Sequence, residues 1–209
     1  MSDVTPAFFS KEKQDLDAIT RRIDPSLKFI QDLHPDATSC RTLLVDQNGE
    51  KRILKVRRIS QNMWDDTYFH FEIDALRRVD ERKLNNVTHI VKYYKDDEYE
   101  AVLKTYAQGT PCNRMDIDKL LLDPDFIKRL DALYLKLHLA GIAKINFLPR
   151  KIVISEDGEL TLVDLSTCIV NTSYGVQRYA QEMKDDSNFI TRLERRARRA
   201  ARRAKKSAA

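Results

Sequence analysis

Apolar residues change their spacing between positions 126 and 163, and each change predicts a different element. Helical intervals come first: Phe126, Leu130, Leu133 and Leu137. Gly141 then supplies the residue that a helix C-terminus favours. Residues 151–154 alternate as a strand does, residues 156–158 (Glu-Asp-Gly) are typical of a turn, and residues 160–163 form a second apolar run. The pattern predicts a helix ending near Gly141 and then a β-hairpin whose exit carries an acid, Asp164.

Short alternating runs dominate residues 26–106, with one helical pattern between them. Five runs are predicted as strands: residues 26–33, 42–46, 51–57, 88–94 and 98–106. The sequence Gln-Asn-Gly-Glu at 47–50 is a strong hairpin signal, so the first three strands are expected to be antiparallel. A further helix is predicted over residues 11–23. The fold class is therefore α+β, with an antiparallel sheet and one helix preceding a mostly helical C-terminal part.

One carboxylate lies on an apolar helix face. Tyr68, Glu72, Ala75 and Val79 share a stripe of the predicted helix that follows the third strand. An inward carboxylate needs a partner, because burying an unpaired charge is costly. Lys55, in the third strand, is the candidate partner. The two residues together suggest an ion pair between strand and helix.

The segment LHLAGIAKINFLPRKIVISEDGELTLVD, residues 137–164, resembles the catalytic core of the protein-kinase-like superfamily. The resemblance is closest to its small atypical bacterial branch, the lipopolysaccharide core kinases and RIO-type kinases. Their frame runs approximately LHxxGIxHxDLxPxNIxV, followed by a Gly turn and an LxDF segment. It implies a two-lobed kinase-like fold with a reduced C-lobe, and ATP and Mg²⁺ as cofactors.

The same resemblance implies roles for individual residues. Lys55 takes the position of the phosphate-binding Lys, Glu72 that of its ion-pair partner, and Asp164 that of the metal-binding Asp. Asn146 falls on the catalytic Asp position and Lys151 on the metal-binding Asn position, so two of the three acid or amide groups that run the chemistry differ. His138, in the last turn of the long helix, takes a supporting position below that loop.

Other parts of the chain also depart from the family pattern. The connection HPDATSC at residues 34–40 contains no glycine, which restricts close approach of its backbone to a phosphate. Asp-Leu-Ser at 164–166 replaces Asp-Phe-Gly, and the chain after it has no room for an activation segment. These differences favour a pseudokinase with weak or absent phosphotransfer. The alternative is an active atypical kinase that phosphorylates a lipopolysaccharide-core sugar or a protein hydroxyl.

Four segments are expected along the chain: a polar leader (1–24), an N-lobe (25–108), a minimal C-lobe (109–191) and an Arg/Ala-rich tail (192–209). The sequence contains no apolar run long enough for a membrane span and no signal-peptide pattern, which predicts a cytoplasmic protein. Cys40, Cys112 and Cys168 are odd in number and far apart, which predicts reduced, packed thiols rather than disulfides or a zinc site.

The basic character of the protein is concentrated in its tail. The formal net charge is +5, whereas residues 192–209 hold seven Arg, two Lys and one Glu, a charge of +8, so the preceding residues carry −3. Such a tail predicts electrostatic docking at the inner face of an anionic membrane, or a scaffold tethered to that surface or to nucleic acid. Nucleic acid is the less favoured partner, because no aromatic residues interleave the basic ones. A protein partner remains open.

Overall fold

A computed structural model describes residues 15–37, 40–59 and 63–207. It has an α+β fold with antiparallel sheets and several helices, as the sequence pattern predicts. The chain divides into two compact units. The first covers Met1–Asp66 and His89–Tyr106, and the second covers Thr67–Thr88 and Ala107–Ala209.

The first unit is built on a five-stranded antiparallel sheet with the strand order β1-β2-β3-β5-β4. Its elements are α1 (Leu16–Ile23), β1 (Leu27–Asp32), β2 (Arg41–Gln47), β3 (Glu50–Arg58), β4 (Ile90–Lys95) and β5 (Tyr99–Thr105). The predicted hairpin between β2 and β3 is confirmed. Asn48 and Gly49 both have positive φ (55° and 89°), as such a two-residue turn requires.

One face of this sheet carries the core of the first unit. Alternate residues of the strands join α1 in a buried apolar cluster that includes Leu27, Leu43, Leu54 and Leu103. Ile19 and Ile23 of α1, which are 8% and 5% exposed, belong to the same cluster. Residues 16–23 of the predicted polar leader therefore form a packed helix, while residues 1–14 lie outside the described part of the chain.

Asp24, at the C-terminal end of α1, connects that helix to the sheet. Its carboxylate accepts hydrogen bonds from Lys92 Nζ at 2.9 Å and from the amide and hydroxyl of Ser26 at 2.9 and 2.7 Å. The hydrogen bond from Lys92, followed by those from Ser26, lowers the pKa of Asp24 from 3.8 to about 2. A lowered pKa stabilises the folded state above pH 3.8, and this contribution is lost as the pH falls through 2.

Asp24→Asn is expected to lower the free energy of unfolding by about 1–2 kcal/mol at neutral pH. The difference from the unmodified protein should disappear as the pH falls from 3.8 to 2, where Asp24 itself becomes neutral. Urea denaturation over a pH series measures it. Asp97→Asn, at an exposed position of the same unit, is the matched control. A difference that persists at the lowest pH would contradict the assignment to charge.

The second unit is mostly helical and contains two small sheets, with strand orders β6-β8-β9 and β10-β7. Its helices are α2 (Met63–Glu81, assigned to this unit from residue 67), α3 (Ile117–Leu120), α4 (Pro124–Leu139), α5 (Asn171–Tyr174) and α6 (Val176–Ser207). Its strands are β6 (Thr110–Pro111), β7 (Ile142–Ala143), β8 (Ile152–Ile154), β9 (Leu160–Leu162) and β10 (Ile169–Val170). Short 3-10 turns occur at Cys112–Arg114 and Pro149–Lys151.

Local signals set the bounds of α4, the central helix of the second unit. The side chain of Asp123 accepts the amide of Asp125 and caps the N-terminus, and Pro124 occupies the first helical position. Gly141, with φ of 84°, follows Ala140 at the C-terminus, which confirms the predicted stop. The buried stripe of α4 packs against α6 and β7: Phe126, Ile127, Leu130, Leu133, Tyr134 and Leu137.

The C-terminal helix α6 continues through the expected start of the basic tail at residue 192. No glycine or proline interrupts residues 176–207, and alanine and arginine are good helix formers. Leu193 and Ala197 are 7% and 4% exposed. The first part of the predicted tail is thus one packed helix with the segment before it.

Candidate functional site

The candidate site lies in the second unit, on the segment between α4 and the residues that follow β9. Residues 144–148 form its loop, and two non-glycine residues within it have positive φ: Lys144 at 60° and Asn146 at 45°. Residues other than glycine rarely adopt positive φ, although asparagine tolerates it better than most. The side chain of Asn146 is exposed. Such a loop persists only where its surroundings hold it in place.

Asp186 of α6 holds this loop. Its carboxylate is 6% exposed and accepts the backbone N–H of Ile145 at 3.1 and 3.2 Å from its two oxygens. The same carboxylate lies 3.1 Å from Nε2 of His138, in the last turn of α4. The Tyr179 hydroxyl donates to the backbone carbonyl of His138. One buried acid therefore ties the loop, α4 and α6 together, and His138 is a member of this network.

A buried lysine occupies the centre of the site. The side chain of Lys151 is 3% exposed, and its ammonium lies 3.4 Å from Oδ2 of Asp164. It also donates to the hydroxyl of Thr167 at 3.0 Å and lies 3.5 Å from that of Ser166. The backbone supports the arrangement, because the amide of Val163 donates to the Lys151 carbonyl at 2.8 Å. Lys151 therefore turns inward, toward the hairpin exit that carries Asp164.

Asp164 is oriented by its own chain as well as by the lysine. Its Oδ1 accepts the backbone N–H of Ser166 at 2.9 Å, while Oδ2 faces Lys151. Its side chain is 29% exposed, so part of the carboxylate still meets solvent. The pair thus combines a fully enclosed cation with a half-buried anion. The cation depends more strongly on its partner than the anion does.

The Lys151 ammonium lies beside Asp164, where the sequence predicts a Mg²⁺ ion. Magnesium requires octahedral oxygen ligands at about 2.0–2.1 Å, whereas the ammonium of Lys151 is directed at Asp164, the predicted metal ligand. Among the described residues, no group of three or more His, Cys, Asp or Glu side chains is arranged to hold a metal ion. The positive charge of Lys151 lies beside the Asp164 carboxylate and disfavours a second cation, such as a metal ion, at the same carboxylate.

Lys55 and Glu72, the other predicted cofactor-binding residues, lie in different units. Lys55 is half-buried on β3, in register with Thr42 of β2 and Val102 of β5. Glu72 is fully buried on α2 together with Ala75 and Val79 of the predicted stripe, whereas Tyr68, its fourth member, is 60% exposed. The ion pair between them stays a prediction. The glycine-free connection at 34–40 is described except for residues 38 and 39.

The cysteine nearest the site in sequence is a packing residue. Cys168 is fully buried, and its burial raises the pKa of the thiol well above its ordinary value, although the charge of Lys151 opposes this shift. Burial also raises the pKa of Cys112 to about 11. Thiols that stay protonated at neutral pH are poor nucleophiles. Cys40, Cys112 and Cys168 are not joined by disulfides.

The arrangement as a whole provides a strained loop, an acid that anchors it and an ammonium enclosed by three oxygens. Asp186 was not among the predicted site residues, although an acid on the buried stripe of an amphipathic helix is the signal that could have found it.

No helix within residues 15–37, 40–59 and 63–207 combines the length and apolarity needed to cross a membrane. The sequence matches no protein-family model and no curated protein.

Proposed function

We propose that this chain is a protein-kinase-like pseudokinase whose own lysine neutralises the position of the catalytic metal. The main support for this proposal is the distance of 3.4 Å between the Lys151 ammonium and the Asp164 carboxylate. In the kinase-like frame these two residues stand at the two metal-binding positions. An internal cation then takes the charge-balancing place that the frame reserves for a metal ion.

The environment of Lys151 supports a fixed cation. Its ammonium has oxygen neighbours on Asp164, Thr167 and Ser166, and its side chain is almost fully enclosed. An outward lysine would need a different conformation of its whole side chain. Its ammonium would also lose contact with the Asp164 carboxylate, its counter-charge. The enclosed ammonium places a positive charge beside Asp164, which disfavours a Mg²⁺ ion there.

Asn146 supports the same proposal through a different part of the chemistry. In the frame it stands where a carboxylate accepts or positions the proton of the acceptor hydroxyl. A neutral amide does not accept that proton, and loss of a general base typically lowers the rate by about 10²–10⁴-fold. The side chain of Asn146 is exposed on the loop 144–148, where an acceptor group can reach it. We infer that the domain acts through binding partners rather than through phosphotransfer.

ATP with Mg²⁺ is expected to raise the melting temperature of the natural protein no more than ATP with a chelator does. The variant N146D/K151N restores an acid and an amide at the two positions and is expected to gain a Mg²⁺-dependent rise. Ligand at about 100 times its Kd contributes about 2.7 kcal/mol, which corresponds to roughly 5 °C or more for a chain of this size. Thermal melting with and without the metal measures the effect.

The matched control is N146D/R150N. Arg150 is the exposed neighbour of Lys151, so this variant loses the same positive charge without opening the position beside Asp164. It should show no metal-dependent rise. A Mg²⁺-dependent rise in the unmodified protein, together with phosphate transfer to a sugar or protein hydroxyl, would overturn the proposal in favour of an active atypical kinase.

A further inference from the structure

A groove lined by arginines runs along the C-terminal part of α6, away from the Lys151 site in sequence. Its volume is about 670 Å³, and Leu122, which precedes α4, forms part of its wall. Five arginines of α6 line it: Arg192, Arg195, Arg196, Arg199 and Arg203. Intervals of three or four residues place side chains on one face of a helix. The groove is therefore a concave surface of positive charge.

The helix that carries these arginines, α6, packs against the rest of the second unit. Leu193 and Ala197 are buried, and Nη2 of Arg196 lies 3.5 Å from Oδ1 of Asp118 on α3. Arg192, Arg195 and Arg199 make no ion pair with any residue in the described part of the chain. The docked helix holds these three guanidinium groups along the groove without neutralising them.

The shape and the buried face of the helix favour a linear polyanion over a membrane. A helix that lies in a bilayer interface needs an accessible apolar face, whereas Leu193 and Ala197 are turned into the protein. A bilayer surface is also too flat to enter a groove of this size, whereas a single strand of a linear polyanion can enter the groove. Arg203 follows Arg192 by eleven helical steps, a distance of about 16 Å. About five phosphates of a stacked strand span that length.

We propose that this groove binds a single strand of nucleic acid through its phosphates. Guanidinium groups match phosphate oxygens in a bidentate geometry, which lysine does not provide. The groove lining contains no aromatic residue, so no side chain in it stacks on bases. Binding should therefore be independent of base sequence and strongly dependent on salt. This site is separate from the Lys151 site, and its test does not depend on the proposed pseudokinase function.

The test uses the full chain and a fluorescently labelled polyuridine oligonucleotide, with anisotropy measured over a salt series. Five phosphate contacts on a single strand predict a slope of log K against log salt of about −3.5. The variant R192Q/R195Q/R199Q keeps good helix formers and removes three contacts. It is expected to bind about 100-fold more weakly at about 0.1 M salt, with a slope of about −1.4.

The matched control, R198Q/R202Q/K206Q, removes the same charge from exposed positions of the same helix that do not line the groove. It is expected to weaken binding by less than about fivefold, the value of a single contact. Circular dichroism of both variants confirms that α6 remains helical. Equal losses in the two variants would overturn the proposal, because the tail would then act as diffuse charge. So would binding of the unmodified chain to phosphatidylserine vesicles but not to the oligonucleotide.

Discussion

Asp164→Asn is expected to lower the free energy of unfolding by about 2–4 kcal/mol. Asparagine keeps the shape of the side chain and its acceptor for the Ser166 amide, and replaces the charged oxygen that faces Lys151 with a neutral NH2 group. The lysine is 3% exposed, so its ammonium would remain enclosed without a counter-charge. Breaking a buried pair in this way leaves a desolvated cation, which is more costly than losing the pair as a whole. Urea denaturation followed by far-ultraviolet circular dichroism measures the change.

A double-mutant cycle separates the charge effect from packing. Lys151→Met alone is expected to cost about 1 kcal/mol or less, because Asp164 is 29% exposed and water can hydrate its carboxylate. Adding Lys151→Met to Asp164→Asn should recover most of the lost stability, which gives a coupling energy of about 2–4 kcal/mol. If Asp164→Asn stays within about 0.5 kcal/mol of the unmodified protein, the pair does not stabilise the fold.

The sequence predicted those parts of the site that local chemistry determines. The helix stop at Gly141 follows from the ease with which glycine adopts positive φ, and the hairpin of β8 and β9 follows from alternation around a Gly-containing turn. The direction of Lys151 did not follow from the pattern. A lysine at the start of a strand usually faces solvent, and only the tertiary arrangement of Asp164, Ser166 and Thr167 provides the oxygens that enclose it.

Asp186 is a site residue that no sequence motif identifies. It lies 41 residues from Ile145 in the chain, and no local motif connects the two. The helical stripe nevertheless contained the signal, because four buried residues of α6 share one face: Asp186, Ile190, Leu193 and Ala197. The same argument that placed Glu72 on a buried face applies to Asp186. An acid on an apolar stripe predicts burial with a partner, but the partner itself depends on how α4 and α6 pack.

Asp186→Ala is expected to lower the free energy of unfolding by about 3–5 kcal/mol. The change leaves the buried amide of Ile145 without its acceptor and removes the carboxylate beside His138. It also releases a loop in which Lys144 and Asn146 are held at positive φ. Urea denaturation measures the loss, and hydrogen exchange at Ile145 reports on the loop directly.

Asp185→Ala is the matched control for Asp186→Ala, since Asp185 is the exposed neighbour on the same helix and contacts only Gln181 among the described hydrogen bonds. It is expected to change stability by less than about 0.5 kcal/mol and to leave exchange at Ile145 unaltered. Fast exchange at Ile145 in Asp186→Ala but not in Asp185→Ala would locate the effect in the loop. Equal protection of Ile145 in all three proteins would show that the backbone of residues 144–148 keeps its conformation without the buried acid, and that α6 contributes only packing to the site.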